Sequence, residues 1–326
     1  MRRFRKRMTG FSCLFALVAT GCSGHSGSTS DTAAHAPAYA PYVSATAGSV
    51  TDSAGSPATY NLAFVISGDD DCVPEWDGTE AVGAASVKSR IAALKRGGAT
   101  VRVSFGGASG KELAATCDSA AALAAAYAKA LDAAGSTLAD FDIEGAGPGD
   151  SASADLRSRA MARLQRERPD LEVSFTLPVM PSGLDADSLA LLESANDHDV
   201  QVSAVNLMTM NYGESYAGDM GDYALTSARA AHTQLRKVFG LSDAGAWRGM
   251  ALTSMIGVND VAGETFTLSD ADQVRAFAEE KEIAWVSMWS AFRDRRCAKG
   301  SATDDAATDC SGVTQRPGAF GQRFSG

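Results

Sequence analysis

Three carboxylic acids alternate with apolar residues in the segment Leu138–Gly145, which reads L-A-D-F-D-I-E-G. Side chains alternate between the two faces of a β-strand, so Asp140, Asp142 and Glu144 are expected on one face and the apolar residues on the other. Burying three neighbouring carboxylates is costly, because desolvation and mutual repulsion both oppose their ionisation. The segment therefore predicts a site for acid–base chemistry, in which one raised pKa leaves a proton donor near neutral pH.

A calcium loop is the sharpest alternative for the same residues. Asp140, Asp142, Glu144 and Gly145 match the start of an EF-hand loop, but its twelfth position falls on Ser151 and not on a bidentate glutamate. A solvated edge strand could also carry alternating acids, although the surrounding pattern is that of a barrel. The chain has no C-x-x-C pair, and its histidines are not clustered with its cysteines. We therefore predict no metal site.

Short β-branched or aromatic runs alternate with longer alanine- and leucine-rich stretches of helical period, which predicts βα units around a parallel sheet. The predicted strands are Tyr42–Ala45, Tyr60–Ile66, Thr100–Phe105, Ala139–Ile143, Glu172–Leu177, Ala204–Met210, Met250–Met255 and Trp285–Trp289. The predicted helices are Ala81–Arg96, Ser119–Ala134, Ala152–Glu167, Ser188–Ala195, Leu225–Val238 and Leu268–Glu280.

Eight strands match a closed (β/α)₈ TIM barrel, in which catalytic groups lie at the carboxyl ends of the strands. The first βα connection, Thr46–Ala58, is short and rich in Gly, Ser and Thr, so we expect its helix to be missing or degenerate. A doubly wound open sheet is the alternative fold, but the G-x-G-x-x-G fingerprint of a dinucleotide site is absent at the first strand end.

The amino terminus predicts export. Five basic residues precede the apolar stretch Phe11–Ala19, which is too short to span a bilayer, and small residues lead to Cys22. This end resembles the lipobox of bacterial lipoproteins, although cleavage by an ordinary signal peptidase is the alternative. We predict a signal peptide over 1–21, a polar tether over 22–38 and one catalytic domain over 39–326. The product would be a monomer that faces outward, attached to the membrane only through Cys22, or secreted.

Loss of the signal would remove five positive charges and take the formal net charge from −10 to −15. Such a surface repels nucleic acid and anionic lipid, so an uncharged polymer is the better partner. Four cysteines would remain, and an even number in an exported chain predicts two disulfides. Three pairings are open; we favour Cys297–Cys310, which closes a short polar loop, and therefore Cys72–Cys117.

The segment Leu138–Gly145 is similar to the D-x-x-D-x-D-x-E signature of the family-18 glycoside hydrolases, with Asp140, Asp142 and Glu144 at its last three acids. Other segments resemble motifs of a bacterial and archaeal chitinase subgroup that carries D-F-D-I-E-G and M-T-M-D-Y-G. These are Ser104–Gly107, Thr176–Pro178, Val205–Gly213, Met255–Asp260 and Met288–Ser290. The resemblance extends from about Tyr42 to the carboxyl terminus.

The resemblance implies hydrolysis of β-1,4-linked N-acetylglucosamine polymers or oligomers, such as chitin, by substrate-assisted retaining catalysis. Glu144 would protonate the glycosidic oxygen while the acetamido carbonyl of the substrate attacks the anomeric carbon. Asp142 would stabilise the oxazolinium ion that forms, and Asp140 would tune Asp142 through a shared proton. No metal ion or organic cofactor is required.

Several residues are expected to contact the sugar. Trp289 matches the tryptophan on which the reacting sugar lies in the family. An indole can stack on the apolar face of a pyranose ring. The other substrate-binding candidates are Met208, Met210, Asn211, Tyr212, Gly106, Gly107 and Trp76, with Tyr216 as a further hydroxyl candidate. The two glycines are also expected to form a tight turn, Trp76 could instead pack against the disulfide of Cys72, and Trp285 is expected in the core.

Three residues depart from the family signature. Thr137 stands in place of the first acid, Met210 in place of the tyrosine of much of the wider family, and Asn211 in place of aspartate.

Three other functions were weighed against the chitinase. An endo-β-N-acetylglucosaminidase acting on N-glycans shares the acetamido mechanism. A non-catalytic sugar-binding barrel usually lacks the acid that Glu144 supplies here, and a structural lipoprotein would not need the inward carboxylates.

Overall fold

The structure is a computed structural model that describes residues 36–69, 71–145, 147–301 and 309–326. The predicted signal peptide, Cys22 and the tether up to residue 35 lie outside the described residues. Across the described ranges, none of the helices combines the length and the apolarity that crossing a bilayer requires.

Parallel strands alternate with helices through most of the chain. In chain order the strands are β1 (Ala38–Tyr39), β2 (Tyr42–Ser44), β3 (Thr59–Ser67), β4 (Pro74–Trp76), β5 (Glu80–Ala81), β6 (Thr100–Gly106), β7 (Leu138–Asp142), β8 (Glu172–Pro178), β9 (Val202–Met208), β10 (Met250–Met255), β11 (Gly257–Val258), β12 (Thr265–Phe266) and β13 (Trp285–Trp289). The helices are α1 (Ala85–Lys95), α2 (Ala120–Ala134), α3 (Ser151–Glu167), α4 (Ala186–Asp197), α5 (Met220–Phe239), α6 (Asp243–Arg248), α7 (Leu268–Lys281) and α8 (Ala319–Ser325), with 3₁₀ turns at Leu113–Ala115 and Ala291–Arg293.

The amino-terminal strand closes the barrel. Its first half, β1, pairs in parallel with β13, and its second half, β2, pairs in parallel with β3. Between the halves, Ala40 N–H donates to Val286 O at 2.9 Å and Asn61 N–H donates to Pro41 O at 2.9 Å. The ring continues through β6, β7, β8, β9, β10 and β13. The eight-stranded (β/α)₈ barrel is therefore confirmed, and the open-sheet alternative is wrong.

The first connection, between β2 and β3, contains turns and no helix, as predicted. Several short elements were not predicted. Strands β4 and β5 extend the sheet antiparallel from β3, the ribbon β11–β12 follows β10, and the helices α6 and α8 are six and seven residues long. Elements of this length contain too few residues for a hydrophobic period to be recognised.

The apolar residues of β7 pack outward. Phe141 lies against Phe105 at 5.3 Å and Phe175 at 5.9 Å between ring centroids, and against Tyr127 of α2 at 4.9 Å. This leaves the other face of β7 to the barrel interior, which confirms the predicted alternation.

The amino-terminal end of the barrel interior is filled by a single indole. Trp285 is buried among the small side chains of Ala40, Ala204 and Ala251, in agreement with its predicted place in the core. The guanidinium of Arg102 lies 4.1 Å from the centroid of the Trp285 ring. The Trp285 side chain therefore closes this end of the barrel interior.

Two disulfides and one arginine tie the outer segments. The cysteine pairs are Cys72–Cys117 and Cys297–Cys310, as predicted. Arg275 of α7 donates from Nη1 to Pro37 O at 2.9 Å and to Phe324 O at 2.8 Å. One buried side chain therefore holds both ends of the domain.

Candidate active site

A cavity of about 340 Å³ opens at the carboxyl ends of the barrel strands. Three kinds of side chain line it, namely acids, aromatic rings and thioethers. They are Asp142, Glu144 and Asp260, then Tyr42, Phe64 and Trp289, then Met208, Met210 and Met255; Ala108, Ser109, Thr176, Asn211 and Thr253 complete the lining. We call Asp140, Asp142 and Glu144 the carboxylate row.

Asp140 forms the base of the carboxylate row and is 1% exposed. Tyr42 and Ser104 donate hydroxyl hydrogen bonds to its Oδ2 at 3.0 and 2.6 Å. Ser174 and Thr176 donate to its Oδ1 at 2.8 and 2.9 Å. Four hydroxyl groups, from the two adjacent strands β6 and β8 and from Tyr42 of β2, therefore satisfy both oxygens of this buried carboxyl group and fix its orientation.

Asp142 lies one step nearer the mouth and is also buried. Burial raises its pKa well above the usual value, and the negative charges of Glu144 and Asp140 raise it further, as does its hydrogen bond with Glu144. Burial also raises the pKa of Glu144, with Asp142 lowering it through their hydrogen bond and the charge of Asp260 raising it. The two carboxyl groups are therefore hydrogen-bonded to each other, and each holds its proton to a higher pH than an isolated side chain of its type would.

A chain of polar side chains connects the carboxylate row to the opposite wall. Thr253 donates to Asn206 Oδ1 at 2.9 Å, and Asn206 Nδ2 donates to Thr176 Oγ1 at 3.0 Å. Thr176 also lies 2.9 Å from the Tyr42 hydroxyl. Hydrogen bonds of this kind between strands hold the floor of the cavity in one arrangement.

Trp289 forms an aromatic wall with its neighbours. Its ring stacks with Phe64 at 5.5 Å between centroids and an interplanar angle of 18°, and it lies 5.9 Å from Tyr42. Phe292 contacts it edge to face at 5.8 Å. The indole is therefore held in place at the end of β13, where one face can meet a sugar.

Gly106 and Gly107 serve the backbone of the site, not its lining. Both have positive φ, +99° and +93°. A Cβ on Gly106 would lie 2.1 Å from Asp142 O, and one on Gly107 would lie 2.8 Å from the Phe64 ring. The N–H of Gly107 donates to Asp142 O at 3.0 Å. These glycines let β6 approach the strand end that carries Asp142, which agrees with the predicted tight turn.

Residues after β9 divide between the cavity and the helix layer. Met208, Met210 and Asn211 line the cavity. Tyr212 points away: it is 4% exposed, and the Ser227 hydroxyl of α5 donates to its oxygen at 3.4 Å. Its ring packs against Tyr216 at 5.9 Å. The expectation that Tyr212 or Tyr216 offers a hydroxyl to the substrate is not met, because neither residue lines the cavity and the left-handed backbone at Asn211, with φ of +55°, interrupts the strand before Tyr212.

Trp76 also lies away from the cavity. Its side chain is 0% exposed in β4, so it offers no surface on which a sugar could stack. Its assignment as a cleft residue is corrected: the segment forms an antiparallel strand against β3, and the indole lies in the core.

Eight lining residues were not predicted as site residues, namely Tyr42, Phe64, Ala108, Ser109, Thr176, Thr253, Met255 and Asp260. Five of them lie within predicted strands and two follow the predicted strand Thr100–Phe105 within four residues, so the rule that barrel function lies at strand ends could have found them. Asp260 lies beyond β11, within a segment already similar to a family motif. No group of three or more His, Cys, Asp or Glu side chains in the described ranges is arranged to hold a metal ion.

Comparisons with known proteins agree with this geometry. The chain is 34% identical over 275 residues to a probable bifunctional chitinase/lysozyme of Escherichia coli, and 34% identical over 276 residues to endochitinase 11 of Metarhizium anisopliae. Each alignment covers 78% of this chain, but only 31% and 52% of the respective relatives, so the chain spans about a third to a half of their lengths.

The solved catalytic domain of the hyperthermophilic chitinase from Pyrococcus furiosus is similar over nearly its whole length. It is 30% identical, has a TM-score of 0.78, and the match covers 89% of this chain and 94% of that one. No family model matches the sequence. The barrel, the carboxylate row and these relatives together show that the chain belongs to the family-18 glycoside hydrolases, the family of the chitinases.

Proposed function

We propose that this protein hydrolyses β-1,4-linked N-acetylglucosamine polymers or oligomers by substrate-assisted catalysis with retention. The observation that carries the proposal is the hydrogen-bonded pair of carboxyl groups of Asp142 and Glu144, which lies above the hydroxyl-bound Asp140 in the cavity lined by Trp289. The names of its relatives, a chitinase/lysozyme, an endochitinase and a hyperthermophilic chitinase, support the same substrate class.

Glu144 is the general acid in this reaction. Its raised pKa favours the protonated form, which gives its proton to the glycosidic oxygen as the C1–O bond breaks. The acetamido carbonyl oxygen of the same sugar forms the new bond to C1, which gives an oxazolinium ion and a leaving alcohol. Glu144, now a carboxylate, accepts a proton from the water that attacks C1, so the ring opens with net retention.

Asp142 binds the acetamido group. The Oδ1 atom of Asp142 is buried and has no hydrogen-bond partner among the described residues. The Asp142 carboxyl group also forms a hydrogen bond with Glu144. An unpaired buried oxygen is costly, and the N–H of an acetamido group would satisfy it. Asp142 thereby directs the carbonyl toward C1 and, once ionised, stabilises the positive charge of the oxazolinium ion.

Product analysis tests the proposal. The purified protein is incubated with chitin oligomers, a high-mannose glycopeptide and peptidoglycan fragments, and the products are identified by mass. We expect cleavage of chitin oligomers and none of fully deacetylated chitosan, which lacks the acetamido nucleophile. Cleavage of the glycopeptide alone would assign an endo-β-N-acetylglucosaminidase. Binding of oligomers without cleavage of any substrate would assign a sugar-binding barrel.

We also propose that the chain is exported and lipidated at Cys22, acts as a monomer and has no membrane contact besides this anchor. The basic and apolar amino-terminal pattern supports export, and two disulfides suit an oxidising compartment. Labelling cells with a fatty acid analogue tests this. The parent protein should carry the label and a Cys22→Ser variant should not; an unlabelled parent with a processed amino terminus would assign simple secretion.

A further inference from the structure

Another buried acid, Glu264, lies outside the cavity lining and takes no part in the proposed chemistry. It lies in the connection between β11 and β12 and is 1% exposed. Burying a carboxylate is costly unless hydrogen bonds replace the water that it loses. The groups around Glu264 therefore indicate what it does.

The turn 211–213 faces the Glu264 carboxylate with its main chain. Gly213 N–H donates to Glu264 Oε1 at 2.8 Å, while Oε2 is buried and has no hydrogen-bond partner among the described residues. Burial raises the pKa of Glu264, and the nearby N–H groups of Gly213, Asn211 and Tyr212 oppose that rise. A turn that presents its N–H groups to an anion in this way favours negative charge at that place. Glu264 therefore fixes the turn 211–213 through its main chain.

The turn needs such support because its backbone is unusual. Asn211 has φ of +55° and Gly213 has φ of +115°. The left-handed region is unfavourable for an ordinary L-residue, and asparagine is among the few residues besides glycine that adopt it. Nothing lies within 4 Å of a Cβ built on Gly213, so this glycine is required by its backbone angle and not by space.

The conformation of the turn decides which side chain enters the cavity. With the Asn211 backbone in the left-handed conformation, the Asn211 side chain lines the cavity together with Asp142 and Glu144. The Tyr212 ring packs instead against Tyr216 and against Tyr223 of α5. We propose that Glu264 is a positioning residue, whose carboxylate holds the Asn211–Gly213 turn so that the Asn211 side chain meets the substrate. The effect on turnover rests on the proposed function; the effect on the turn does not.

The ribbon that carries Glu264 is itself anchored at its first strand, β11. Asn259 Nδ2 donates to Met255 O at 2.8 Å and to Gly257 O at 3.0 Å. Val258 N–H donates to Ser311 O at 2.8 Å, next to the Cys297–Cys310 disulfide. Glu264 therefore connects the turn after β9 to segments that follow β10 and β13.

Amide hydrogen exchange tests the position of the turn without any substrate. In Glu264→Ala, the amides of residues 211–213 should exchange faster while those of β7 and β8 keep their protection. Glu264→Gln retains an acceptor and should show a smaller change, so it serves if the alanine variant folds poorly. Unchanged protection of residues 211–213 in both variants would overturn the proposal.

Kinetics on chitin oligomers test how the turn acts on the reaction. Glu264→Ala should lower kcat/KM by up to about 10²-fold, the size expected for a group displaced by about 1 Å. The Asn211→Gly variant keeps the left-handed turn but lacks the side-chain amide. In that background, Glu264→Ala should lower kcat/KM by no more than about twofold. Equal losses in both backgrounds would mean that Glu264 does not act through Asn211.

Asp270 provides a matched control for stability. It is also a buried carboxylate that accepts a backbone N–H, from Thr267 at 2.6 Å, but it caps α7 away from the cavity. Asp270→Ala should lower Tm and leave kcat/KM of the folded enzyme unchanged. If it lowers kcat/KM as much as Glu264→Ala does, the effect of Glu264 is general destabilisation and the proposal is wrong. If the parent cuts no oligomer, the proposed function fails while the exchange result still decides the role of Glu264.

Discussion

The carboxylate row and the turn 211–213 both supply groups to one cavity, but they are held in different ways. Asp140 is fixed by four side-chain hydroxyls from other strands of the barrel. Asn211 is fixed through the main chain of its turn, by a positive φ and by the hydrogen bond from Gly213 N–H to Glu264. Strand residues therefore take their direction from the regular alternation of the sheet, whereas turn residues take it from a backbone conformation supported by a distant acid.

The largest expected effect separates chemistry from binding in the carboxylate row. Glu144→Gln keeps the shape of the side chain and removes the proton donor, so hydrolysis of chitin oligomers should fall by about 10²–10⁴-fold. Binding of the oligomers should persist, because the aromatic wall is untouched. Turnover and calorimetric binding measured on the same preparation check both statements. Activity within a few-fold of the parent would remove Glu144 from the mechanism.

Asp142→Asn should lower activity and raise stability. Burial and neighbouring charges hold the pKa of Asp142 in the folded protein above its value in the unfolded chain. The stability that the protonated Asp142 contributes at low pH is therefore lost as pH rises through the folded-state pKa. An uncharged asparagine avoids that loss. We expect Tm to exceed that of the parent by at least about 2 °C at alkaline pH, with a smaller gain in acid, while turnover falls. A variant that melts below the parent at every pH would contradict this.

The Asn211→Asp variant tests the side chain that the turn 211–213 supplies, through a shift in the pH dependence of kcat/KM. A carboxylate at this position would place another anion near Glu144, disfavour its ionisation and raise its pKa. Because the acid must be protonated to act, activity is lost as pH rises through its pKa. The basic limb of the kcat/KM profile should therefore move upward by about one unit or less. A limb that is unchanged or lowered would mean that the residue 211 side chain does not act on Glu144.

Asp260→Asn provides the opposite shift and the smallest effect. The charge of Asp260 raises the pKa of Glu144, although burial is the larger cause. Its removal should move the basic limb downward by less than the upward shift in Asn211→Asp, because Asp260 is exposed and water screens its charge. Profiles of the parent and both variants in one buffer series allow the comparison. Shifts of the same sign in both variants would show that Glu144 does not control this limb.

The barrel and the carboxylate row could be predicted because they follow from regular patterns. Alternation in β7 gives the inward direction of Asp140 and Asp142, and the ends of Met250–Met255 and Trp285–Trp289 were predicted correctly. Trp76 could not be placed, because an indole in a short antiparallel extension has the same local sequence signal as one at a cleft. The disulfide pairs were found by loop length, which is a property of spacing alone.

The turn 211–213 marks where prediction from sequence stops. Its asparagine was identified as a departure from a family motif, but the positive φ and the role of Glu264 depend on a contact between residues about fifty positions apart. Tyr212 was assigned to the cavity for the same reason. A sequence read one segment at a time cannot show that a ribbon after β10 sets the backbone of a turn after β9.

The way in which the barrel closes also sets the direction in which the cavity faces. Strand β1 begins beside the start of β13, where Ala38 N–H donates to Ala284 O at 3.2 Å, so residue 36 enters at the end of the barrel opposite the cavity. Arg275 holds that entry point against α8. The described chain therefore enters the barrel on the side away from the cavity, and this entry point leaves the mouth of the cavity uncovered.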